Sequence, residues 1–427
     1  MSDAATLPSG AGAASPQGDL RNYVIVTGAY WADTVTDGAI RTLVLFYFYE
    51  RGYSPFEVAS LFIFYELFGV ITNLVGGWLA ARLGLKATLV MGLAVQLAAL
   101  LMLALAPSPW LVVPYVMASQ ALSGIAKDLT KMSSKSAVKL VVPEGANDTL
   151  FRWVAILTGS KNALKGVGFF LGGLLLTLVG FRTSQILLAG FVLAALIGVL
   201  TLMRGTLGNP DSTAKFSQMF SNSRPVNILA GARILLFASR DVWFVVGLPV
   251  YLQSKQDWSF WQTGAFLAVW VIGYGAVQAV APQLLRRRAG GNRDAEPNGR
   301  TATWLAFVLA AFPAAIAIAL GANIDPTVIV VVGLIAFGVA FALNSAVHSY
   351  LILRYAQGDK VAMNVGFYYM ANAGGRLIGT VLSGLLYQWQ GLEACLWVST
   401  IFVLGAGALS LLLPRVSPVP QRVATAA

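Results

Sequence analysis

Long apolar runs, broken by short polar, proline or glycine stretches, recur along the whole chain. They fall at roughly 22–48, 56–81, 87–106, 110–141, 148–179, 183–203, 226–252, 260–285, 302–321, 327–353, 361–388 and 392–413. A membrane-crossing helix needs about 20 apolar residues, so the pattern predicts twelve transmembrane helices and an all-α integral membrane protein. Runs such as 110–141 exceed one bilayer thickness and are expected to tilt or to project beyond it. Residues 1–19 are rich in Ala, Gly, Ser and Pro and carry no basic stretch followed by an apolar core. They are expected to form a disordered tail rather than a signal peptide.

Loop charge orients these helices. Of the 29 Lys and Arg residues, only Arg51, Arg182 and Lys255 fall on the outer side if the N-terminus is inside. Cytoplasmic loops collect Lys and Arg, so both termini, with the tail 415–427, are expected in the cytoplasm. The longest internal loop, 204–225, reads as a cytoplasmic linker between two six-helix bundles, 20–203 and 226–414. Internal similarity agrees with this division. Tyr53-Ser54-Pro55-Phe56 matches Trp258-Ser259-Phe260-Trp261 at an offset of 205 residues, and Asp37 and Asp241 lie one residue from that offset. Parallel repeats of this kind mark secondary transporters with two similar halves.

Composition narrows the function. The 427 residues are 57% hydrophobic and only 11% charged, with a mean hydropathy of +0.72. Soluble domains carry about 25% charged residues, which removes a soluble α/β enzyme. The net charge of +11 is explained by cytoplasmic loops and gives no reason to expect nucleic acid. With one cysteine, Cys395, and one histidine, His348, neither an internal disulfide nor a multi-ligand soft-metal cage can form. No Ser/His/Asp, metal or phosphate-loop constellation is present. Neither catalysis nor a cofactor is expected, and the partners expected are membrane lipids and a small-molecule cargo.

That cargo is indicated by where charge enters the membrane. Nine basic residues fall within the spans: Arg41, Lys127, Lys131, Lys135, Lys161, Lys165, Arg233, Arg240 and Arg376. The acids there are Asp33, Asp37, Glu66, Asp128 and Asp241. A charge at the bilayer centre costs about 3 kcal/mol on insertion scales, and intramembrane ionisable residues are functional by default. Spans 3, 6, 9 and 12 carry no charge except Glu393 at an edge, so charge is confined to the other eight.

Lys127 and Lys131 share one helical stripe with Gln120 and Gly124. Thr158, Lys161, Asn162 and Lys165 form a second stripe at i, i+3, i+4 and i+7. Counting from the turn near Pro143 places Lys127 and Lys161 at similar depth, roughly 20 Å from the helix ends. An anion between the stripes would relieve their repulsion, as would neutral lysines. Lys135 and Lys139 lie nearer the ends and are expected to snorkel.

Arg240, with Arg233 on the same face, is a candidate fork for phosphate or carboxylate; the other reading is a structural ion pair with Asp241, Asp33 or Asp37. Asn364, Tyr368, Asn372 and Arg376 recur every four residues in span 11. The expected substrate-binding set is therefore Lys127, Lys131, Lys161, Lys165, Arg240, Arg376, Asn372 and Tyr368. Asp33, Asp37, Arg41, Asp128 and Asp241 form the coupling or ion-pair set. Asp33 and Asp37 could titrate as a proton-coupling site; neutralising Arg41 and Arg240 is the favoured reading. His348 is read as a satisfied interface residue, and Glu66 is ambiguous.

The segment Gly76-Gly77-Trp-Leu79-Ala80-Ala81-Arg82-Leu83-Gly84-Leu85-Lys86 resembles the loop signature of the major facilitator superfamily, with Ala81 at its Asp position. The glycines 166, 168, 172 and 173 partly resemble its antiporter signature, without the proline. More narrowly, the runs SGIAKDLTKMSSKSA (123–137), TGSKNALKGVGFFLGG (158–173) and RDVWFVVGLPVYL (240–252) resemble those of ArsJ-type organoarsenical efflux permeases. The resemblance covers the chain from about residue 20.

It implies an inner-membrane permease exporting 1-arseno-3-phosphoglycerate. This is the unstable product formed when glyceraldehyde-3-phosphate dehydrogenase uses arsenate for phosphate. The resemblance also implies a functional link to that dehydrogenase, and arsenate resistance. Separately, the chain is expected to act as a monomer. Charge alone points only to an anionic cargo. An organophosphate or phosphate exchanger, or a transporter-like anion sensor, would want similar cations. For the topology, green fluorescent protein fused to either terminus should fluoresce, and alkaline phosphatase fused to either should be inactive.

Overall fold

The computed structural model describes residues 16–138, 147–203, 223–288, 297–322, 325–355 and 361–414. Those residues are helical, with short turns and no strands among them. The helices are α1 (Pro16–Glu50), α2 (Pro55–Ser60), α3 (Ile63–Leu83), α4 (Leu85–Leu105), α5 (Val113–Val138) and α6 (Asn147–Leu202). In the second half they are α7 (Arg224–Phe244), α8 (Gly247–Gln256), α9 (Phe260–Arg288), α10 (Gly299–Leu320), α11 (Pro326–Tyr355) and α12 (Val361–Ser410).

Twelve crossings follow from these helices. Two are made by α2 with α3 and by α7 with α8. The long α6 and α12 supply two each, interrupted at Gly180 (φ +74) and at Gln390–Gly391 (Gly391 φ +74). Positive φ suits glycine, and both breaks fall where the hydropathy pattern predicts a turn. The break between α7 and α8 was not legible in the sequence. There the Val246 and Gly247 N–H groups donate to Ser383 Oγ of α12 at 3.2 and 3.0 Å, which satisfies backbone groups that hydrocarbon would leave unpaired.

Eight stretches are long and apolar enough to cross a membrane, including the double-length Ser160–Leu202 and Gly366–Ser410. The helices α1 and α5 fall short of that apolarity because they carry Asp33, Asp37 and Arg41, and Lys127, Asp128 and Lys131. The uncharged crossings expose their apolar side chains outward, as at Ile186, Leu187, Ile318 and Ile401. The aqueous alternative would strand that surface.

The two halves repeat one another in local chemistry. At the start of α2, the Ser54 N–H donates to Glu57 Oε2 at 2.8 Å and the Glu57 N–H to Ser54 Oγ at 3.3 Å. At the start of α9, Ser259 and Gln262 make the same reciprocal bonds at 2.9 and 3.4 Å. Both are capping boxes at the 205-residue offset read from sequence. In the first half α1 packs most extensively on α6; in the second α7 packs on α12. The halves meet along α6 with α9 and along α12 with α2 and α3.

Small residues permit these contacts. On α6, Gly168 and Gly172 face α1, while Gly166 and Gly173 face α9. A β-carbon on Gly168 would collide with the Val35 carbonyl oxygen, and one on Gly172 would stand 2.6 Å from that of Ala39. At the matching contact of the second half, Gly375 abuts the Ile234 carbonyl. At the end of the bundle away from the chain termini, Phe46 stacks on Phe260 with centroids 5.2 Å apart, and the Phe56 N–H donates to Gln388 Oε1 at 3.1 Å.

Gly168→Val should therefore lower stability by about 1–3 kcal/mol through overpacking. Gly28→Ala, which meets nothing within 4 Å, should stay within about 0.5 kcal/mol. Thermal unfolding of the purified protein in detergent reads both.

Candidate functional site

Between the halves lies a cavity of about 240 Å³. Its walls come from α1, α3, α5, α6, α7, α9, α11 and α12, with Phe62 at the junction of α2 and α3 and Val245 at that of α7 and α8; none of the described lining residues comes from spans 3, 6, 9 and 12. Those four are the spans whose sequence carries no charge apart from Glu393 at an edge. Among the described residues, eight basic side chains line this cavity and two carboxylates do, Asp128 and Asp241. Asp33, Asp37 and Glu66 are buried behind the wall.

The first half contributes the lysines. Lys127, Lys131, Lys161 and Lys165 all reach the cavity, but not by contact between neighbouring helices. The helix α1 packs against both α5 and α6, which touch each other only slightly. The stripes thus share the cavity without pressing on one another. Lys131 Nζ lies 3.0 Å from Asp128 Oδ1 and donates to Asn73 Oδ1 at 2.6 Å. Lys165 Nζ lies 2.9 Å from Asp37 Oδ2. Lys127 stands over the Tyr65 ring, 4.0 Å from its centroid, a contact in which the ring quadrupole attracts the ammonium.

The second half contributes arginines and aromatic rings. Arg240 pairs with the adjacent Asp241 at 2.5 Å and lies 4.8 Å from the Phe237 centroid. Arg233 donates from Nε to Asn372 Oδ1 at 3.1 Å and from Nη1 to Ser345 Oγ at 3.0 Å. Phe244, Trp270 and Tyr274 complete that wall.

The pivot is Glu66, completely buried on α3. Its Oε1 accepts from Arg41 at 2.9 Å and from Arg376 of the other half at 2.6 Å. Arg376 also reaches Asp241 Oδ2 at 3.4 Å. One arginine therefore ties α12 to both α3 and α7.

Several expectations change. Arg41 is neutralised by Glu66, and Arg240 by Asp241; neither is neutralised by Asp33 or Asp37, whose positions on α1 turn them elsewhere. Asp37 serves Lys165. Asp33 accepts from Thr130 Oγ1 at 2.6 Å and has no cation partner among the described residues. Tyr368 does not line the cavity. It packs into the apolar core with Val226 and Leu351, and Tyr369 takes the cavity wall instead, because at about 3.6 residues per turn the face of Asn372 and Arg376 continues through Ala373 and Tyr369 rather than along strict i+4 steps. His348 is fully buried, yet neither ring nitrogen meets a partner among the described residues, unlike the satisfied residue expected. Lys139 falls outside the described residues, and the side chains of Lys135, Thr158, Asn364 and residues 76–82 are not among those described. The aromatic wall and the role of Glu66 were missed, since a lone acid in an apolar run does not disclose which cation it meets.

Residues 26–356 match the Major Facilitator Superfamily. A stretch of 141 residues is 31% identical to a Na(+), Li(+), K(+)/H(+) antiporter of Planococcus maritimus, covering 33% of this chain and 32% of that protein. The match thus spans about a third of that curated relative.

Glu66→Gln should destabilise the fold by about 3–5 kcal/mol, because it strips two buried guanidiniums of a shared counter-charge. The fall in melting temperature measures this.

Proposed function

This chain belongs to the major facilitator superfamily, and on that premise we propose that it exports 1-arseno-3-phosphoglycerate, conferring arsenate resistance. The observation that carries an anionic cargo is the density of positive charge around one small cavity between the halves; the particular anion is what the resemblance to organoarsenical efflux permeases implies. Such a cargo carries a phosphate and an arsenate group at opposite ends. The first-half cluster of Lys127, Lys131, Lys161 and Lys165 would hold one end. Arg240 and Arg376, with Asn372 as a neutral donor, would hold the other. Oxygen-ligated pentavalent arsenic needs no thiolate, in keeping with a single, buried cysteine.

Alternating access would then be a rocking of bundles 20–203 and 226–414 about the linker 204–225, around a fixed site. The cargo competes with Glu66 and Asp241 for Arg376, so its arrival would loosen the tie between the halves as it bridges them. The protein would work as a monomer in the inner membrane with both termini cytoplasmic, supplied by the dehydrogenase.

The partial relative moves monovalent cations. A cation route is disfavoured here because the eight basic side chains on the cavity outnumber the five buried carboxylates of the described interior, leaving a net positive charge that would repel a cation. An organophosphate or phosphate exchanger would use the same cations, and cargo dependence separates it. Everted vesicles given radiolabelled arsenate, dehydrogenase, NAD and glyceraldehyde-3-phosphate should accumulate label only when all are present. Accumulation without the triose phosphate would instead identify a simple oxyanion carrier. Lys161→Ala and Arg240→Ala should each weaken transport about tenfold or more, the worth of one charge-assisted hydrogen bond, at unchanged expression.

A further inference from the structure

Five carboxylates are buried in the described interior, and four of them have a cation. Asp37 has Lys165, Glu66 has Arg41 and Arg376, Asp128 has Lys131, and Asp241 has Arg240 and Arg376. Asp33 stands apart. It is 1% exposed, its Oδ2 accepts only the Thr130 hydroxyl, and its Oδ1 meets no donor among the described residues. An isolated carboxylate in a low-dielectric interior is so costly that such groups are paired, metal-bound or protonated. Among the described residues no cluster of ligands for a metal surrounds it.

The repeat does not account for it either. At the offset that relates Asp37 to Asp241, the counterpart of Asp33 is Phe237. Asp37 with Lys165 and Asp241 with Arg376 form a matched pair of ties between the first and fifth helices of each half. Asp33 is an addition to one half alone.

Its surroundings place it off the cargo route. Tyr30 and Arg41 of the same helix line the cavity, and Asp33 does not. It faces Thr130 on α5, between Lys127 and Lys131. The charged and titratable groups around it are Tyr30, Asp37 and Arg41 on α1, Lys127, Asp128 and Lys131 on α5, and Lys161 and Lys165 on α6. From the other neighbours, α4 brings only Lys86 in its first turn, and α2 only Glu57. Along α4 and α5 the register is set by Thr130 packed at Gly92 and by Ser119 Oγ donating to the Ala99 carbonyl at 2.9 Å. Gln96 and Ser123 lie between those two levels, both fully buried with side-chain polar atoms that meet no partner among the described residues. Thr130, Gln96, Ser123 and Ser119 thus form a run of buried polar side chains along the α4–α5 interface beside Asp33.

We propose that Asp33 is a proton-binding site set apart from the cargo cavity, and that its proton moves with the anion rather than against it. The direction follows from Coulomb's law. An ionised Asp33 adds negative charge behind the helix that presents Lys127 and Lys131, and a proton removes it. The protonated protein therefore binds an anion more tightly, and by reciprocity the anion tightens proton binding. A polyanion leaving with one proton still carries net negative charge outward, the direction an inside-negative potential drives.

The proton site is tested without any cargo. Dicyclohexylcarbodiimide, which modifies protonated carboxyls in apolar surroundings, should label Asp33 in the full-length protein, with labelling that fades as pH rises. The four ion-paired carboxylates should stay unmodified. No label at Asp33 at acid pH, or equal labelling of the paired carboxylates, overturns the site. The direction of coupling rests on the anion-carrier reading. It is tested in proteoliposomes with 3-phosphoglycerate as probe and a pH-sensitive dye. Wild type should alkalinise the medium from which the anion is taken, and Asp33→Asn should move the anion with no pH change. Proton movement opposite to the anion, or unchanged proton movement in Asp33→Asn, overturns co-transport. Failure of wild type to move 3-phosphoglycerate counts against the cargo reading alone, since the labelling result stands without it.

Discussion

Positive charge held inside a hydrocarbon slab governs this molecule. Each buried cation gains from a carboxylate, a ring face or a bound anion, because a charge within the membrane is costly. The structure meets that demand unevenly. Carboxylates sit mostly behind the wall and cations on it, so the cavity presents a positive face held in place from the rear. Glu66 shows how tight the arrangement is: one carboxylate serves two arginines from different halves. An anion entering the cavity joins a network already short of negative charge.

The helix scaffold makes this arrangement repeatable. Glycines on α6 are divided between α1 and α9, so one helix is drawn against its own half and the other half at once. Gly375 does the same work on α12 against α7. Close backbone approach without side-chain bulk is how membrane helices associate when no hydrophobic force separates them from lipid. It also leaves the basic side chains of α5, α6, α7 and α12 room to point inward. The matched capping boxes at Ser54 and Ser259 start the second crossing of each half in the same way, and they carry the internal repeat into the fold.

The asymmetries concern function. Lysines dominate one half and arginines with aromatic rings the other, so the two ends of a bound cargo would meet different chemistry. Glu66 ties the halves from one side only. Asp33 has no counterpart in the repeat and no cation partner among the described residues.

Hydropathy and charge placed most of this in advance. Twelve crossings, the uncharged outer helices, the two halves and the cationic character of the interior all follow from local composition, since a charged or apolar side chain declares its cost in lipid wherever it sits. Which carboxylate meets which cation was not legible. Arg41 and Glu66 are 25 residues apart, and Arg376 and Glu66 are 310; such pairings depend on how helices rotate and tilt when they pack. For the same reason Tyr369 rather than Tyr368 reaches the cavity, and α1 comes to lie between the two lysine helices. The sequence by itself determined that excess positive charge would lie within the membrane. Only the tertiary structure decided which of those charges are already answered, because pairing is a property of distance in space and not of spacing along the chain.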